Sequence, residues 1–554
     1  MNANKIKRFG TMIDCSRNGV PKVSTVKKWI NLTADLGYNM LMLYTEDTYE
    51  VNDNPYFGYG RGRYSKEELR QMDSYASEKG MELIPCIQTL AHLHTLVRWK
   101  PYVEISDLRD ILLADDERTY QLIDKMFETI SECFRSKTVN IGMDEAALMG
   151  RGRYYNTHGH VDHTELFLRH LNRVAEIAQK YGLTLCMWSD MFFKLATGGE
   201  YYLTEMKYFD KNVAAKIPQG VELIYWDYYS VDKNRYDLML QSHNTLKPGT
   251  WFAGGFACWT GFAPHNMQGI ETSRAALASC LENGVENVFM TLWGDDGVEC
   301  SMFATLPSLF SASEFVKGIT DMAVIKKHFQ DKFHIAFDDF MLLDLLESPN
   351  GRGYSFRSDK DDGVRNADKY LLYNDPFTGL FDSTLAGDEN DIYGAAAKKL
   401  EGLKNTENYG YLFDVMENLC QVLSIKAQLG QKTREAYSAK DKAALQALLA
   451  DYDAAGEKLD AFYESHRRRW MKENKAQGFE IQDMRLGGLA RRMESCKRML
   501  EEYLAGKISQ IDELEEPLLD LNGQEGNFAK KPVCFNNWGK TITPNALGMN
   551  LFFG

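Results

Sequence analysis

From residue 9 onward, short apolar runs alternate with longer amphipathic stretches. The strand-like runs are 9–15, 39–45, 81–90, 138–145, 184–192, 221–229, 251–259 and 287–295. Between most of them, residues 23–37, 65–80, 117–135, 163–182 and 271–284 repeat apolar positions at three- and four-residue spacing, the period of helices. Eight strands with intervening helices over roughly 300 residues is the count and length of a (β/α)8 TIM barrel. One gap interrupts the alternation, because residues 193–220 carry no convincing long helix. A doubly wound dinucleotide-binding sheet is the structural rival, but no G-x-G-x-x-G follows the first strand.

Beyond about residue 316 the strand pattern fades and helical periods dominate, at 320–333, 409–438, 440–470 and 488–507. The predicted class is therefore α/β, a (β/α)8 TIM barrel followed by a mainly α-helical C-terminal domain. The expected divisions are 1–315 for the barrel, 316–525 for the helical domain and 526–554 for a C-terminal strap.

Composition narrows the function. The 554 residues suffice for an enzyme domain and more, and 44% hydrophobic with 26% charged residues is ordinary for a globular chain. A net charge of -14 opposes nucleic acid or an anionic membrane as partner, because phosphates would be repelled. Neither a secretory h-region nor an apolar run of 18 residues is present, so no membrane association is expected. The 10 cysteines are scattered without C-x-x-C pairs, and a cytoplasmic location is expected. Aromatic residues reach 12%, a mild hint of sugar binding, since pyranose rings stack on flat apolar faces.

In such a barrel, reacting side chains stand at the C-terminal ends of the strands. That rule selects Asp14, Ser16, Arg17, Tyr44, Glu46, Asp47, His92, His94, Asp144, Glu145, Trp188, Asp190, Trp226, Asp227, Tyr228, Trp259, Trp293, Asp295, Asp296 and Glu299. Carboxylates and tryptophans prevail, and no nucleophile elbow, P-loop or H-E-x-x-H occurs. Carboxylates between aromatic walls make a glycosidase pocket. The sharpest feature is an apolar strand ending in adjacent acids, Gly142-Met143-Asp144-Glu145. Neighbouring strand residues point to opposite sides, so both acids face one pocket only where the strand ends and curls. The bland alternative is an Asp helix cap followed by a first-turn Glu.

The strand ending in G-x-D-E resembles the signature of family 20 glycoside hydrolases, the β-N-acetylhexosaminidases. Asp14-Cys15-Ser16-Arg17 is similar to the family's D-x-x-R, Ala91-His92 to its Gly-His, and Trp188, Trp226 and Trp293 fall where it places tryptophans. The family's shortened fifth helix also matches the gap. The resemblance spans roughly residues 9–310 and implies an exo-acting, retaining, substrate-assisted enzyme without cofactor or metal. In that mechanism the 2-acetamido carbonyl oxygen attacks C1, giving a cyclic oxazolinium ion. Asp144 would orient the acetamide and offset the developing charge, while Glu145 acts as acid and then base, so their pKa values should be pushed apart.

Arg17 would grip the 3- and 4-hydroxyls. Trp188, Trp226 and Trp259 would wall the acetamide methyl, and Trp293 would underlie the pyranose. Tyr228 is the candidate hydroxyl for the acetamide carbonyl, although the family usually supplies that tyrosine from strand seven. Asp295 resembles the acid that binds the 4- and 6-hydroxyls, with Glu299 as its rival. Glu46 stands where the family commonly has Asp, in a relay with His92 that orients the general acid; the longer side chain departs from the pattern, as does Ala91 in place of glycine. From the resemblance, the chain is expected to lack the small N-terminal α/β domain of many members, like a shorter intracellular branch with its own helical C-terminal region. The implied partner is an oligosaccharide or glycoconjugate with a terminal N-acetylhexosamine, and a homodimer is left open.

Three other features have plainer readings. His158, His160 and His163 have metal-like spacing without a cysteine partner, so no metal is expected. Gly60-Arg61-Gly62-Arg63 and Gly150-Arg151-Gly152-Arg153 are expected to be solvated turns. The segment from Arg468 to Lys475 is rich in sugar-binding residue types, but is expected to be a helix end with solvated charges. Two functional rivals remain. One is a two-carboxylate retaining β-glycosidase using Glu145 as acid and Asp190, Asp295 or Glu299 as nucleophile. The other is a non-catalytic carbohydrate-binding barrel.

Overall fold

A computed structural model describes residues 6–295, 297–347, 365–521 and 523. Eight parallel strands close a barrel: β1 (Arg8–Asp14), β2 (Met40–Glu46), β3 (Glu82–Ile87), β4 (Thr138–Asn140), β5 (Thr184–Trp188), β6 (Val221–Trp226), β7 (Trp251–Gly255) and β8 (Asn287–Leu292). Closure runs through β1 and β8, with Arg8 opposite Asn287 and Ile13 opposite Leu292. Closing the sheet leaves the barrel without an edge, and its C-terminal strand ends form one rim.

The helices α1 (Val23–Leu36), α2 (Lys66–Glu78), α3 (Glu117–Cys133), α4 (His163–Gln179), α5 (Asp190–Thr197), α6 (Lys233–Leu246), α7 (Asn266–Asn283) and α8 (Leu306–Val316) surround the barrel. Ser65 and Glu68 close a reciprocal capping box at α2, and Asp116 and Asp162 cap α3 and α4. The fifth strand is shorter than the apolar run 184–192 suggests. Asp190 already opens α5, an eight-residue helix, and only the short helix Lys211–Ala215 follows before β6. Helix α6, absent from the sequence reading, carries polar residues on most of its faces and buries Tyr236, Met239, Leu240 and His243.

The remaining chain is helical: α9 (Met322–Phe333), α10 (Ala367–Tyr373), α11 (Glu389–Glu401), α12 (Gly410–Lys426), α13 (Leu429–Ser438), α14 (Lys442–Glu473) and α15 (Phe479–Leu504). Helix α12 packs on α11 and α14, and α14 on α15. The expected strap 526–554 lies outside the described residues. Among the described residues, no helix is long and apolar enough to cross a membrane.

Two cores result. A large one joins the barrel wall to its helices, and a smaller one fills the barrel interior with Met12, Met42, Ile84, Cys86, Cys186, Ile224, Ala253 and Phe289. Side chains alternate along a strand, so the inward parity fixed by that interior core continues upward to the rim. From Met12 it reaches Asp14, from Met42 Tyr44 and Glu46, from Cys186 Trp188 and Asp190, from Ile224 Trp226 and Tyr228. Packing below thus decides which side chains converge above.

Candidate active site

Ten of the sequence-selected residues line one cavity of about 140 Å³ at that rim: Arg17, His92, Asp144, Glu145, Trp188, Trp226, Tyr228, Trp259, Trp293 and Asp295. Tyr229, overlooked in the sequence, joins them and stays 41% exposed. Larger open depressions lie among the outer helices and do not share these residues.

Parity alone would turn Glu145 away from Asp144. The chain avoids this by curling directly after β4. Gly142, Met143 and Glu145 have φ of 71°, 69° and 54°. A Cβ on Gly142 would overlap the Gln88 carboxamide, so glycine serves both backbone and packing there. Glu46 (φ 43°) and His92 (φ 58°) are also left-handed. Each such non-glycine residue costs about 1–3 kcal/mol, a strain that gathers where side chains must be aimed.

Two side chains hold Asp144. Gln88 Nε2 donates to its Oδ1 at 2.9 Å, and His92 Nε2 lies 3.1 Å from its Oδ2. The Gln88 carboxamide oxygen also accepts the Met143 N–H at 3.2 Å, tying the acid to its own turn. Burial opposes ionisation of Asp144, but His92 and Gln88 outweigh it and hold the carboxyl below its usual range. Glu145 is freer, its side chain 53% exposed, with His92 Nε2 at 3.6 Å and Lys194 Nζ at 3.9 Å. Its backbone N–H donates to Asp190 Oδ2 at 3.0 Å, and Lys194 Nζ donates to the same oxygen at 3.0 Å. Burial and the Asp144 charge push Asp190 up to about 6. Asp190 is fully buried behind the turn and steadies Glu145 from there.

Burial works against a charged imidazole, yet the Asp144 carboxylate pushes His92 up to about 9 from 6.5. The folded ring therefore keeps its proton between pH 6.5 and about 9, while the unfolded ring releases it. The resulting stabilisation is complete below pH 6.5 and disappears as pH rises through about 9. Melting temperatures of wild type should fall more steeply across that window than those of His92→Gln. Parallel curves would show that His92 does not hold this proton.

Arg17 lies over the rings of Trp293 and Tyr44, at 4.6 and 4.8 Å. It pairs with Asp14 at 3.1 Å, Glu46 at 3.3 Å and Asp295 at 3.6 Å. Trp226 stacks on Tyr228 at 5.4 Å, Tyr228 meets Trp259 edge-on at 5.7 Å, and Trp188 lies 6.0 Å from Trp293. These rings and the polar groups of Arg17 and Asp295 line the same cavity.

Two selected residues are placed differently from expectation. Glu46 does not hydrogen-bond to His92. Its Oε1 accepts the Tyr44 hydroxyl at 3.0 Å and pairs with Arg17, so it holds the arginine, and burial pushes its carboxyl up to about 7. Glu299 is buried away from the cavity, bound to Lys369 of α10 at 2.5 Å and Arg485 of α15 at 2.7 Å. It therefore does not face the cavity beside Asp295.

Two of the polar side segments also differ from expectation, whereas Arg151 and Arg153 are exposed as expected. Arg61 is buried against Asp47 at 3.4 Å and donates to the Ser16 carbonyl. Of the segment 468–475, Arg469, Trp470, Glu473 and Asn474 are buried, and only part of it is solvated. Sequence reasoning missed Gln88 and Lys194. For Gln88 the available signal was the inward parity it shares with Cys86.

No group of three or more side chains suited to a metal ion comes together among the described residues. Human Hexosaminidase D is 24% identical over 252 residues, covering 44% of this chain and 49% of that protein. Bovine Hexosaminidase D is 24% identical over 253 residues, covering 44% and 69%. The chain thus spans about half the length of the human relative. A solved GH20 exo-β-N-acetylglucosaminidase from Vibrio harveyi, in complex with N-acetylglucosamine, superposes with a TM-score of 0.45 at 16% identity, over 61% of this chain and 58% of that one. The family model for the glycosyl hydrolase family 20 catalytic domain matches residues 8–236, and that for the glycoside hydrolase 20C C-terminal domain matches residues 338–532. On both its barrel and its helical region, the chain belongs to glycoside hydrolase family 20.

Proposed function

We propose that the protein removes terminal β-linked N-acetylhexosamines from oligosaccharides or glycoconjugates by a retaining, substrate-assisted reaction. The observation that carries this reading is the turn at residues 142–145, which brings Asp144 and Glu145 to one aromatic cavity with Asp144 held as its anion. The acetamide N–H would donate to Asp144 while its carbonyl oxygen attacks C1. Glu145 protonates the departing glycosidic oxygen, and the C1–O bond breaks. The oxazolinium cation then lies against the Asp144 charge. Water adds to C1, Glu145 takes its proton, and the ring opens to the β-configured product.

The cavity ends on packed barrel core, which suits a chain terminus and an exo action. Trp188, Trp226 and Trp259 suit the acetamide methyl, Trp293 the pyranose face, and Tyr228 the acetamide carbonyl. Arg17 and Asp295 suit the sugar hydroxyls. Of the two-carboxylate rival's three nucleophiles, Asp190 is buried behind Glu145 and Glu299 faces the helical region, which leaves that rival only Asp295, paired with Arg17 at 3.6 Å. All nine described cysteines are free and buried, which suits the reducing cytoplasm.

Hydrolysis of nitrophenyl β-GlcNAc, β-GalNAc and β-glucoside, with and without a thiazoline mimic of the oxazolinium, tests the proposal. Only the N-acetyl substrates should be cleaved, and the thiazoline should block them. Equal cleavage of the glucoside would favour a protein nucleophile. Inertness toward all three would leave a sugar-binding barrel.

A further inference from the structure

Three neighbouring strands, β7, β8 and β1, lead into loops that carry Trp259, then Trp293 and Asp295, then Arg17. All three loops are held from outside by the helical region. In the β7 loop, Asp368 of α10 accepts the N–H groups of Phe262 at 2.7 Å and Ala263 at 2.9 Å on Oδ2. Its Oδ1 accepts the Lys369 N–H at 2.8 Å. Asn366 donates to the Thr260 carbonyl at 3.1 Å, and Thr260 Oγ1 donates to the Arg365 carbonyl at 3.3 Å. Gly261 leaves no room for a side chain, since a Cβ would come within 2.5 Å of Asp368 Oδ1.

The β8 loop is anchored by Glu299, which binds Lys369, Arg485 and Gln482, while Arg469 donates to its carbonyl at 2.5 Å. In the β1 loop, Asn18 donates to the Gly478 carbonyl at 2.7 Å and the Val20 carbonyl accepts the Lys475 N–H at 2.8 Å, while Thr25, in the first turn of α1, donates to the Glu473 carbonyl at 2.6 Å. The acids at β4 are held differently. Their supports, Gln88, His92, Asp190 and Lys194, all come from the barrel itself.

We infer that the helical region is part of the sugar-recognition apparatus, and that Asp368 is a positioning residue which sets the β7 loop and, through it, Trp259. The inference rests on the function proposed above. Both carboxylate oxygens of Asp368 are engaged by N–H donors, so an amide in its place must turn an NH2 toward at least one of them. The loop would then shift, while the acid pair keeps its own supports. Binding of the terminal sugar suffers, and the proton-transfer chemistry does not.

The test uses the full chain and nitrophenyl β-GlcNAc, with Asp368→Asn, Glu299→Gln and Arg492→Met compared. Arg492 pairs with Asp375 and Glu513 inside the helical region, so its replacement reports general destabilisation. Asp368→Asn and Glu299→Gln should each raise KM about tenfold, and weaken thiazoline binding in calorimetry to match, with a pH profile of kcat like wild type. Arg492→Met should lower the melting temperature without moving KM. The inference is overturned if KM and thiazoline affinity stay at wild-type values in folded Asp368→Asn and Glu299→Gln, or if Arg492→Met shifts them equally. A wild type inert toward N-acetyl substrates would instead sink the proposed function.

Discussion

Asp144→Asn will lower kcat toward nitrophenyl β-GlcNAc by about 10³-fold, roughly 4 kcal/mol of barrel-imposed transition-state stabilisation. Asparagine keeps the shape but loses the charge that His92 and Gln88 are arranged to sustain. Positive charge develops on the sugar only as the reaction proceeds, so the loss falls on kcat and leaves KM nearly unchanged. Steady-state kinetics on folded protein checks this. A variant with normal kcat and raised KM would reduce Asp144 to a ground-state contact, and the substrate-assisted reading would fail with it.

Glu145→Gln should respond to the leaving group. With a poor one, such as a sugar alcohol, loss of the general acid should cost about 10²–10⁴-fold in kcat/KM. With dinitrophenol, which departs without a proton, kcat/KM should stay near wild type. The later attack of water still needs a base, so kcat should drop with both. Its exposure and separation from the buried part of the turn make this residue the one poised to meet the departing group. A uniform loss across leaving groups would assign the acid to another side chain.

The barrel was legible because its strands are apolar runs of the right number, and the cavity because inward parity carries from core to rim. Trp188, Trp226, Trp293 and Asp144 all follow that parity. Glu145 does not, and only the G-x-D-E resemblance pointed to a turn that local spacing cannot reveal. What stayed hidden depends on distant partners. Glu299 looks like a rim acid until Lys369 of α10 and Arg485 of α15 arrive from helices far along the chain. The buried face of the 468–475 segment likewise depends on distant loops, with Arg469 against the β8 loop and Pro21 of the β1 loop bridged to Asn474. Helix α5 was missed as a helix because its first residues continue the apolar run of β5.

The charge at Glu299 bears on how this fold can be recombined. A barrel cut free of its helical partner would turn this carboxylate out into water and lose the contacts that fix the β8 loop. Within the whole chain, where the carboxylate stays buried, stripping away one cation alone would orphan an ion at a cost of about 3–5 kcal/mol, a large share of what holds a domain together. Anyone grafting this barrel into another assembly would have to carry α10 and α15 along with it, or rebuild what they hold.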